Sequence, residues 1–448
     1  MLENGVLLLS LACFFAFFMA YGVGANDVSN AMGTSVGSKA LTVRQAIFIA
    51  IIFEFSGAYL AGGEVTSTIR KGIINAEWFA DGPELLIYGM LAALLSAALW
   101  LGLASFKGWP VSTTHTIVGG ILGFSLVAVG ADAIEWHTVG SIASSWIISP
   151  LLAGVIAYVM MQSIRFLILN SDTPARNLKL YSPFYIFLAC FTVVMITSTK
   201  GLKHLGLIYS WQETIGLASV FSAAITGGGM TWVNNTYTRQ KLLYILPNSS
   251  PDNSINSPVQ HVIKLSSFGN YSDEQNHQES VEKLFAVLMI FTACAMAFAH
   301  GSNDVANAIG PLAAIYNIIE SGGQVNSISP MPKWILLLGS LGIVFGLIFF
   351  GARVMATVGQ KITHLTPSKG FAAELSAALT VLLASAAGLP VSTTHTLIGA
   401  IIGVAFASKT PLANKNMITK VFLSWVITIP IGAILSIIFF YLFKFIFQ

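Results

Sequence analysis

The sequence predicts an all-α polytopic membrane protein with about twelve transmembrane elements, in two inverted repeats that contain discontinuous helices. Three observations predict this fold class: scarce charge, long apolar runs, and pairs of matching polar segments. Of the 448 residues, 55% are hydrophobic and 9% are charged, whereas a soluble domain carries about 25% charged residues. A soluble protein of this composition would expose apolar surface on every side, so the composition indicates that lipid is the solvent.

The apolar runs have the length of membrane-spanning helices. Residues 6–21, 46–61, 85–103 and 142–161 are each long enough, or nearly so, to cross a hydrocarbon core of about 30 Å. Every backbone polar group inside that core must be satisfied within the segment, so these runs are predicted to be helices. The first run lacks a basic region before it and a small-residue cleavage site after it, which argues against a cleavable signal peptide.

Three polar segments occur twice, in the same order and at nearly constant separation. The paired segments are 24–33 (GANDVSNAMG) with 301–310 (GSNDVANAIG), 110–116 with 390–396 (PVSTTHT in both), and 145–150 (SWIISP) with 424–430 (SWVITIP). Chance does not produce this agreement, so the chain is an internal duplication. We assign residues 1–170 to the first repeat, 171–233 to linking transmembrane helices, 234–283 to a polar cytoplasmic loop, and 284–448 to the second repeat.

The orientation of the repeats follows from counting spans. About seven spans precede the second repeat, and an odd number makes the two repeats inverted. Arg165, Arg176 and Lys179 flank one connector, and further basic residues open the polar loop, so the positive-inside rule places both in the cytoplasm and the N-terminus outside. Arg70 and Lys71 argue against this orientation.

The first paired motif has the character of a cation site. Asn26 and Asn30 share a helix face because they are four residues apart, and Asp27 adds a carboxylate at membrane depth. Carboxylate, amide and carbonyl oxygens suit hard cations, and the bracketing glycines are expected to let the helices break so that carbonyls face a ligand. The alternative is that these polar groups only join neighbouring helices. The predicted cation ligands are Asn26, Asp27, Asn30, Asn303, Asp304 and Asn307.

The second paired motif has the character of an anion site. Proline favours the first turn of a helix, and Ser and Thr are preferred caps, so Pro110 and Pro390 are expected to open two half-helices inside the membrane. Free N–H groups and the positive end of the helix dipole attract anions there. An ordinary helix-packing seam rich in Ser and Thr is the alternative. The predicted anion ligands are Ser112, Thr113, Thr114, Ser392, Thr393 and Thr394.

Other polar residues fall inside apolar runs. Glu54 and Glu374 are candidate coupling carboxylates; in the repeat alignment Glu374 corresponds to Leu94, whereas Glu54 falls between Met331 and Trp334. His115, His300 and His395 are candidates for proton transfer or for structural hydrogen bonds. Lys107 and Arg353 are expected to reach the membrane interface, and His137, His204 and His364 to lie in connectors.

Charge balance relates the two motifs. Asp27 and Asp304 bring two negative charges, and neither motif contains Lys or Arg. An anion beside two carboxylates therefore needs cations bound with it. Importing a dianion against 100 mV costs roughly 4.6 kcal/mol, which two co-imported monovalent cations would cancel.

The paired Gly-x-Asn-Asp-Val-x-Asn-Ala and Pro-Val-Ser-Thr-Thr-His segments resemble those of the PiT family of inorganic phosphate transporters. The resemblance covers both repeats and implies a secondary active transporter that imports inorganic phosphate with cations by alternating access. It implies that Ser112–Thr114 and Ser392–Thr394, with Asp27 and Asp304, bind phosphate. It also implies Na⁺ near Asp27 and Asp304, and functionally sensitive glutamates where Glu54 and Glu374 stand.

The form of the first motif is similar to that of the sodium-coupled branch, because proton-coupled members tend to have His-Asp-Thr there. The resemblance further implies a multi-pass protein of the plasma or inner membrane, co-transported Na⁺ with no other cofactor, and a homodimer. Proton-coupled phosphate transport, or transport of another oxyanion such as sulfate, remains the alternative.

Other functional classes lack their motifs. No Gly-x-Ser-x-Gly turn supports a serine hydrolase, and no nucleotide-binding P-loop supports an ATP-driven pump. The sequence therefore predicts no enzyme activity, and its net charge of +3 indicates no nucleic-acid partner. A channel is distinguished from a secondary transporter by whether its substrate accumulates.

Overall fold

The computed structural model describes residues 4–107, 109, 111–199, 207, 209–245, 271–325, 331–352, 365–409 and 415–448. Thirteen α-helices form within these residues, which contain no strand apart from an isolated bridge between Ile74 and Ile134. The helices are α1 (Gly5–Gly37), α2 (Val43–Ala61), α3 (Gly63–Ser67), α4 (Pro83–Lys107), α5 (Thr113–Ala128), α6 (Trp136–Ile164), α7 (Pro174–Thr199), α8 (Trp211–Ile245), α9 (Tyr271–Glu320), α10 (Lys333–Gly346), α11 (Pro367–Ala386), α12 (Thr393–Ser408) and α13 (Lys415–Phe447).

Ten of these helices are long and apolar enough to cross a membrane, and α5 and α12 are shorter apolar helices of 16 residues each. Together they account for the predicted twelve elements in the described part of the chain. Large apolar side chains lie on the outer surface, for example Phe14 at 64%, Ile147 at 66% and Phe445 at 86% exposure. Water would make such a surface costly and lipid does not, so the prediction of an all-α polytopic membrane protein is confirmed.

The packing repeats when the two halves are exchanged. The sequence pairs α1 with α9, α2 with α10, α4 with α11, α5 with α12, and α6 with α13. α6 packs on α12 just as α13 packs on α5, and α2 packs on α9 just as α10 packs on α1. These four helix pairs join one half to the other around a pseudo-two-fold axis, and α7 and α8 pack together as the link between the halves.

The points where helices cross closely show which residues of α2 and α10 are equivalent. An added Cβ at Gly24 would overlap the backbone of Ile343, and one at Gly301 would overlap the backbone of Glu54. Since Gly24 and Gly301 are equivalent, Glu54 corresponds to Ile343, and the predicted alignment near Met331 is wrong. The alignment shifts because α9 continues to Glu320, beyond Ala314, which is equivalent to the last residue of α1, and because residues 321–332 join α9 to α10 where only residues 38–42 join α1 to α2.

The breaks between α4 and α5 and between α11 and α12 confirm the predicted discontinuous helices. α5 and α12 start at Thr113 and Thr393, where the Ser-Thr segments predict a helix start. Pro390 lies in the segment before the N-cap rather than in the first helical turn, so the detail of its predicted position is wrong. Pro110 lies outside the described residues.

The predicted polar loop, residues 234–283, is helical at both ends. α8 continues through Ile245 and α9 begins at Tyr271. Residues 246–270 lie outside the described residues. The residue limits assigned to the two repeats, the linking helices and the cytoplasmic loop remain predictions.

Candidate functional site

The two Asn-Asp motifs lie within continuous helices. α1 runs unbroken through Asp27, and α9 runs unbroken through Asp304. The helix breaks predicted at the bracketing glycines are therefore wrong, because Gly24 and Gly301 instead permit the close helix crossings described above. Since backbone carbonyls inside a helix are already hydrogen-bonded, any cation held here must use mainly side-chain oxygens.

Each motif contacts the Ser-Thr segment of the other half. The Asn30 side-chain amide donates to Thr394 Oγ1 over 2.6 Å. The equivalent Asn307 amide donates to Thr114 Oγ1 over 3.2 Å. The two contacts are the same interaction with the halves exchanged, so the motifs and the half-helices form one central cluster that neither half can build alone.

The two motif carboxylates lie close together at the centre of this cluster. Asp27 and Asp304 are almost fully buried, at 2% and 0% exposure. Ligand atoms of Asp27, His300 and Asp304 lie within 4.8 Å of one another. Two carboxylates this close in a low-dielectric interior repel strongly when both are ionised. A bound cation or a proton must therefore offset their charge.

The hydrogen bonds of the carboxylates leave oxygens available to a ligand. Asp27 Oδ1 accepts from Asn26 over 3.1 Å and from Asn30 over 3.2 Å. Asp304 Oδ2 accepts from Thr393 Oγ1 over 3.0 Å. Asp304 Oδ1 and Asn307 Oδ1 are buried with no hydrogen-bond partner among the described residues. Unpaired carboxylate and amide oxygens are what a hard monovalent or divalent cation requires.

A histidine distinguishes the second half from the first. His300 Nε2 lies 3.0 Å from Asp304 Oδ2, and its Nδ1 lies 3.1 Å from Glu54 Oε2. All three side chains are buried. Val23 and Ile343 occupy the positions equivalent to His300 and Glu54, so the equivalent contact between α1 and α10 has no such bridge. The four-residue spacing of His300 and Asp304 could have revealed half of this arrangement, but no sequence signal connects Glu54 to His300.

The half-helix N-termini lie beside the carboxylates. The hydroxyls of Ser112 and Ser392 accept from the backbone N–H groups of His115 and His395, over 3.2 and 3.4 Å, and so cap α5 and α12. The threonine hydroxyls point into the cluster, where Thr114 Oγ1 also donates to the Val391 carbonyl of the other half over 3.2 Å. Two helix N-termini that converge from opposite halves are suited to an anion.

Glu374 lies apart from the central cluster. Its buried carboxylate accepts from Thr34 over 2.9 Å, from Ser35 over 2.9 and 3.0 Å, and from Thr292 over 2.7 Å. These hydroxyls belong to α1 and α9, and the equivalent first-half position is Leu94. The two predicted coupling carboxylates are therefore in different places: Glu54 reaches the central cluster through His300, and Glu374 occupies its own ring of hydroxyls.

Of the other polar residues whose positions were predicted, two lie among the described residues. The Lys107 ammonium lies over the Trp109 ring at 4.8 Å from its centroid, in keeping with an interfacial position. His137 is exposed near the start of α6. Arg353, His204 and His364 lie outside the described residues.

Comparison with known proteins gives a consistent family assignment. The profile of the Phosphate transporter family matches residues 23–436. A Haemophilus influenzae protein, whose name describes a phosphate permease, is 46% identical over 446 residues, which cover 100% of this chain and 99% of that protein. Inorganic phosphate transporter 2-1, chloroplastic, of Arabidopsis thaliana is 42% identical over 96% of this chain and 71% of its own length.

A solved structure shows the same likeness in three dimensions. The structure titled the sodium-dependent phosphate transporter superposes with a TM-score of 0.85 at 38% identity, and the match covers 98% of this chain and 99% of that one. The family match covers both repeats and the whole central cluster. The protein therefore belongs to the phosphate transporter family, as a multi-pass membrane transporter and not an enzyme.

Proposed function

We propose that the protein imports inorganic phosphate together with Na⁺ by alternating access, as a secondary active transporter. One observation carries the proposal: two half-helix N-termini suited to an anion converge on two buried carboxylates suited to cations. Phosphate would sit between the Ser112–Thr114 and Ser392–Thr394 segments. Na⁺ would be held near Asp27 and Asp304 by their carboxylates and by the amide oxygens of Asn26, Asn30, Asn303 and Asn307.

Electrostatics supports joint binding of the two substrates. A phosphate dianion close to two buried carboxylates is unfavourable unless positive charge enters with it. Na⁺ ions bound at the carboxylates supply that charge, and their inward gradient drives accumulation. The relative named as a sodium-dependent transporter favours Na⁺ over H⁺ in this role.

A bound phosphate also has protons to donate. Asp27 and Asp304 lie beside the half-helix N-termini and can accept a hydrogen bond from a protonated phosphate oxygen. Sulfate has no proton to offer at neutral pH, so the two carboxylates favour phosphate over sulfate. Proton-coupled uptake is the alternative for the coupling ion.

We place the protein in the cell membrane with its N-terminus outside, in accordance with the basic connectors. We also propose that the protein forms a homodimer, as its resemblance to the family implies. Glu54 and Glu374 act as coupling carboxylates. Glu54 holds His300 against Asp304, and the hydroxyl ring around Glu374 offers oxygens that can turn toward a passing cation.

Uptake of labelled phosphate into proteoliposomes that contain only this protein tests the proposal. An inward Na⁺ gradient is expected to drive accumulation above equilibrium, while an inward H⁺ gradient alone does not. Accumulation with H⁺ alone would replace the coupling ion. If labelled sulfate accumulates and labelled phosphate does not, the substrate is sulfate. Equilibration of phosphate without accumulation would indicate a channel.

Removing one threonine hydroxyl is expected to weaken phosphate binding. Thr113→Val keeps the side-chain shape but deletes a hydroxyl that lies at the α5 N-terminus, 3.4 Å from the Asn307 amide. We expect the KM for phosphate to rise about tenfold, which is the loss of one hydrogen bond to a charged group. Thr116→Val is the matched control, since within the described residues Thr116 Oγ1 donates to the carbonyl of the N-cap Ser112 and to no group of the other half. Equal KM values for the two variants would move the anion site elsewhere.

Neutralising Glu374 is expected to separate coupling from substrate binding. Glu374→Gln keeps the hydrogen-bonding size of the side chain but removes its charge from the hydroxyl ring. We expect phosphate binding within about threefold of the wild type and a loss of Na⁺-driven uptake of about tenfold or more. Ser376→Ala, in the same helix and equally buried, serves as the control. Unchanged Na⁺-driven uptake in Glu374→Gln would remove this carboxylate from the coupling pathway.

A further inference from the structure

Four aromatic rings, called the stack below, lie in continuous contact beside the half-helix N-termini, with successive interplanar angles of 42°, 89° and 28°. The Trp146 and His115 ring centroids are 3.9 Å apart, those of His115 and His395 are 4.6 Å apart, and those of His395 and Trp425 are 3.5 Å apart. The rings come from α6, α5, α12 and α13 in that order. Because Trp146 pairs with Trp425 and His115 with His395 in the repeat, the contact between the two imidazoles lies on the pseudo-two-fold axis.

The stack is tied directly to the anion-binding segments. Each histidine follows the last threonine of its segment, and its backbone N–H donates to the capping serine. The Trp146 indole N–H donates to the Pro390 carbonyl of the opposite half over 3.1 Å. Movement of either half-helix therefore carries its imidazole and its threonine hydroxyls together.

The surroundings of the imidazoles favour a mechanical role. His115 and His395 are 3% and 1% exposed, and neither forms an ion pair within the described part of the chain, in contrast to His300. Both contact aromatic rings on two sides. The His115 ring has a hydrogen bond with the Trp425 backbone, a group that rarely exchanges protons, and rings in edge and stacked contact resist compression and lateral movement.

The two helix N-termini also need a spacer. Both carry partial positive charge and repel each other, while an anion between them draws them together. The imidazole pair limits how far they can approach, and the flanking indoles limit how far they can separate. A gap fixed from both sides accepts one size of tetrahedral anion best.

We propose that the stack of Trp146, His115, His395 and Trp425 fixes the gap between the two half-helix N-termini and thereby makes the site select tetrahedral oxyanions by size. This inference rests on the proposed function, since it assumes that phosphate binds in that gap. Arsenate is the diagnostic competitor, because it matches phosphate in shape, charge and protonation but has longer bonds to oxygen.

Competition between arsenate and labelled phosphate for uptake into proteoliposomes tests the proposal. In His115→Ala, His395→Ala and the double variant, the preference for phosphate over arsenate is expected to fall about fivefold or more, in the range that one mismatched group produces in a pocket. His115→Phe and His395→Phe keep a ring and are expected to stay within about twofold of the wild-type preference. Phe124→Ala removes a buried ring lower in α5 and is expected to leave the preference unchanged.

The outcomes separate the two proposals. Wild-type protein that takes up no phosphate under any gradient would contradict the proposed function. Normal wild-type uptake, with the same preference in wild type and alanine variants, would contradict only the spacer. Loss of preference in the phenylalanine variants as large as in the alanine variants would assign selectivity to the imidazole nitrogens and also contradict the spacer. If the alanine variants fail to insert, Trp146→Phe replaces them. Its preference for phosphate over arsenate is expected to fall by less than fivefold, but by more than in the Phe124→Ala control. A preference equal to that of the control would overturn the proposal.

Discussion

Replacing Asp27 or Asp304 with asparagine is expected to reduce Na⁺-driven phosphate uptake about 100-fold or more. Each substitution keeps the size of the side chain and removes one of the two buried charges that attract the cations. Loss even of a residue that only supports a metal ligand typically costs 10–100-fold in affinity, so loss of a direct charged ligand should cost at least as much. Without the cations, the repulsion between phosphate and the remaining carboxylate also opposes substrate binding.

The two variants should differ in stability although both lose transport. Asp304→Asn leaves His300 paired with Glu54 alone, whereas Asp27→Asn removes a carboxylate whose hydrogen-bond donors are neutral amides. Asp304→Asn is therefore expected to lower the unfolding temperature more. Asp132→Asn, the same change at an exposed site, is the matched control. Sodium-dependent uptake at the wild-type level in both buried variants would refute the assignment of the cation site.

The second large effect is expected at Glu54 and His300. Glu54→Ile and His300→Val, made singly, give this contact between α2 and α9 the residues found at the equivalent contact between α10 and α1, Ile343 and Val23. His300→Val leaves the Glu54 carboxylate without this partner, and breaking a buried ion pair in this way costs about 3–5 kcal/mol. Glu54→Ile leaves His300 Nδ1 unpaired while Nε2 keeps Asp304, so its cost is expected to be smaller. The double variant removes both partners, so it should be more stable than the sum of the single effects predicts.

A double-mutant cycle measures this interaction. We expect a coupling energy of about 1 kcal/mol or more from denaturant unfolding of the four proteins in detergent. Ser56→Ala, at a half-buried site in the same helix where the hydroxyl donates to the Ile52 carbonyl, is expected to have a much smaller effect. Additive effects of the two substitutions would mean that the 3.1 Å contact between Glu54 and His300 contributes nothing to stability.

The sequence predicted what depends on local pattern. Apolar run length predicted the spanning helices, and the Ser-Thr segments predicted helix starts at Thr113 and Thr393, because capping is decided within a few residues. The internal duplication predicted that the motifs of both halves serve one purpose. It did not predict that Asn30 contacts Thr394, a pair of residues separated by 364 positions along the chain.

What the sequence could not predict depends on how helices cross. The glycines were expected to break helices, but a glycine in a helix costs only about 1 kcal/mol, which close packing offsets. The same crossing at Gly301 brings Glu54 to His300. Which residues of α2 and α10 are equivalent depends on the length of chain between the helices, and the motif offsets did not reveal that length. The hydroxyl ring of Glu374 likewise combines three helices. Its partners carry no distinctive motif, so the sequence showed only an isolated carboxylate.

The central claim is that phosphate and Na⁺ share one site built by both halves, and reciprocal binding tests it most directly. Phosphate affinity of the purified protein is measured at increasing Na⁺, and Na⁺ affinity is measured with and without phosphate. Because coupling between two ligands is reciprocal, the account predicts that Na⁺ raises phosphate affinity and that phosphate raises Na⁺ affinity by the same factor. Phosphate affinity that does not change between sodium-free buffer and saturating Na⁺ would contradict the shared site.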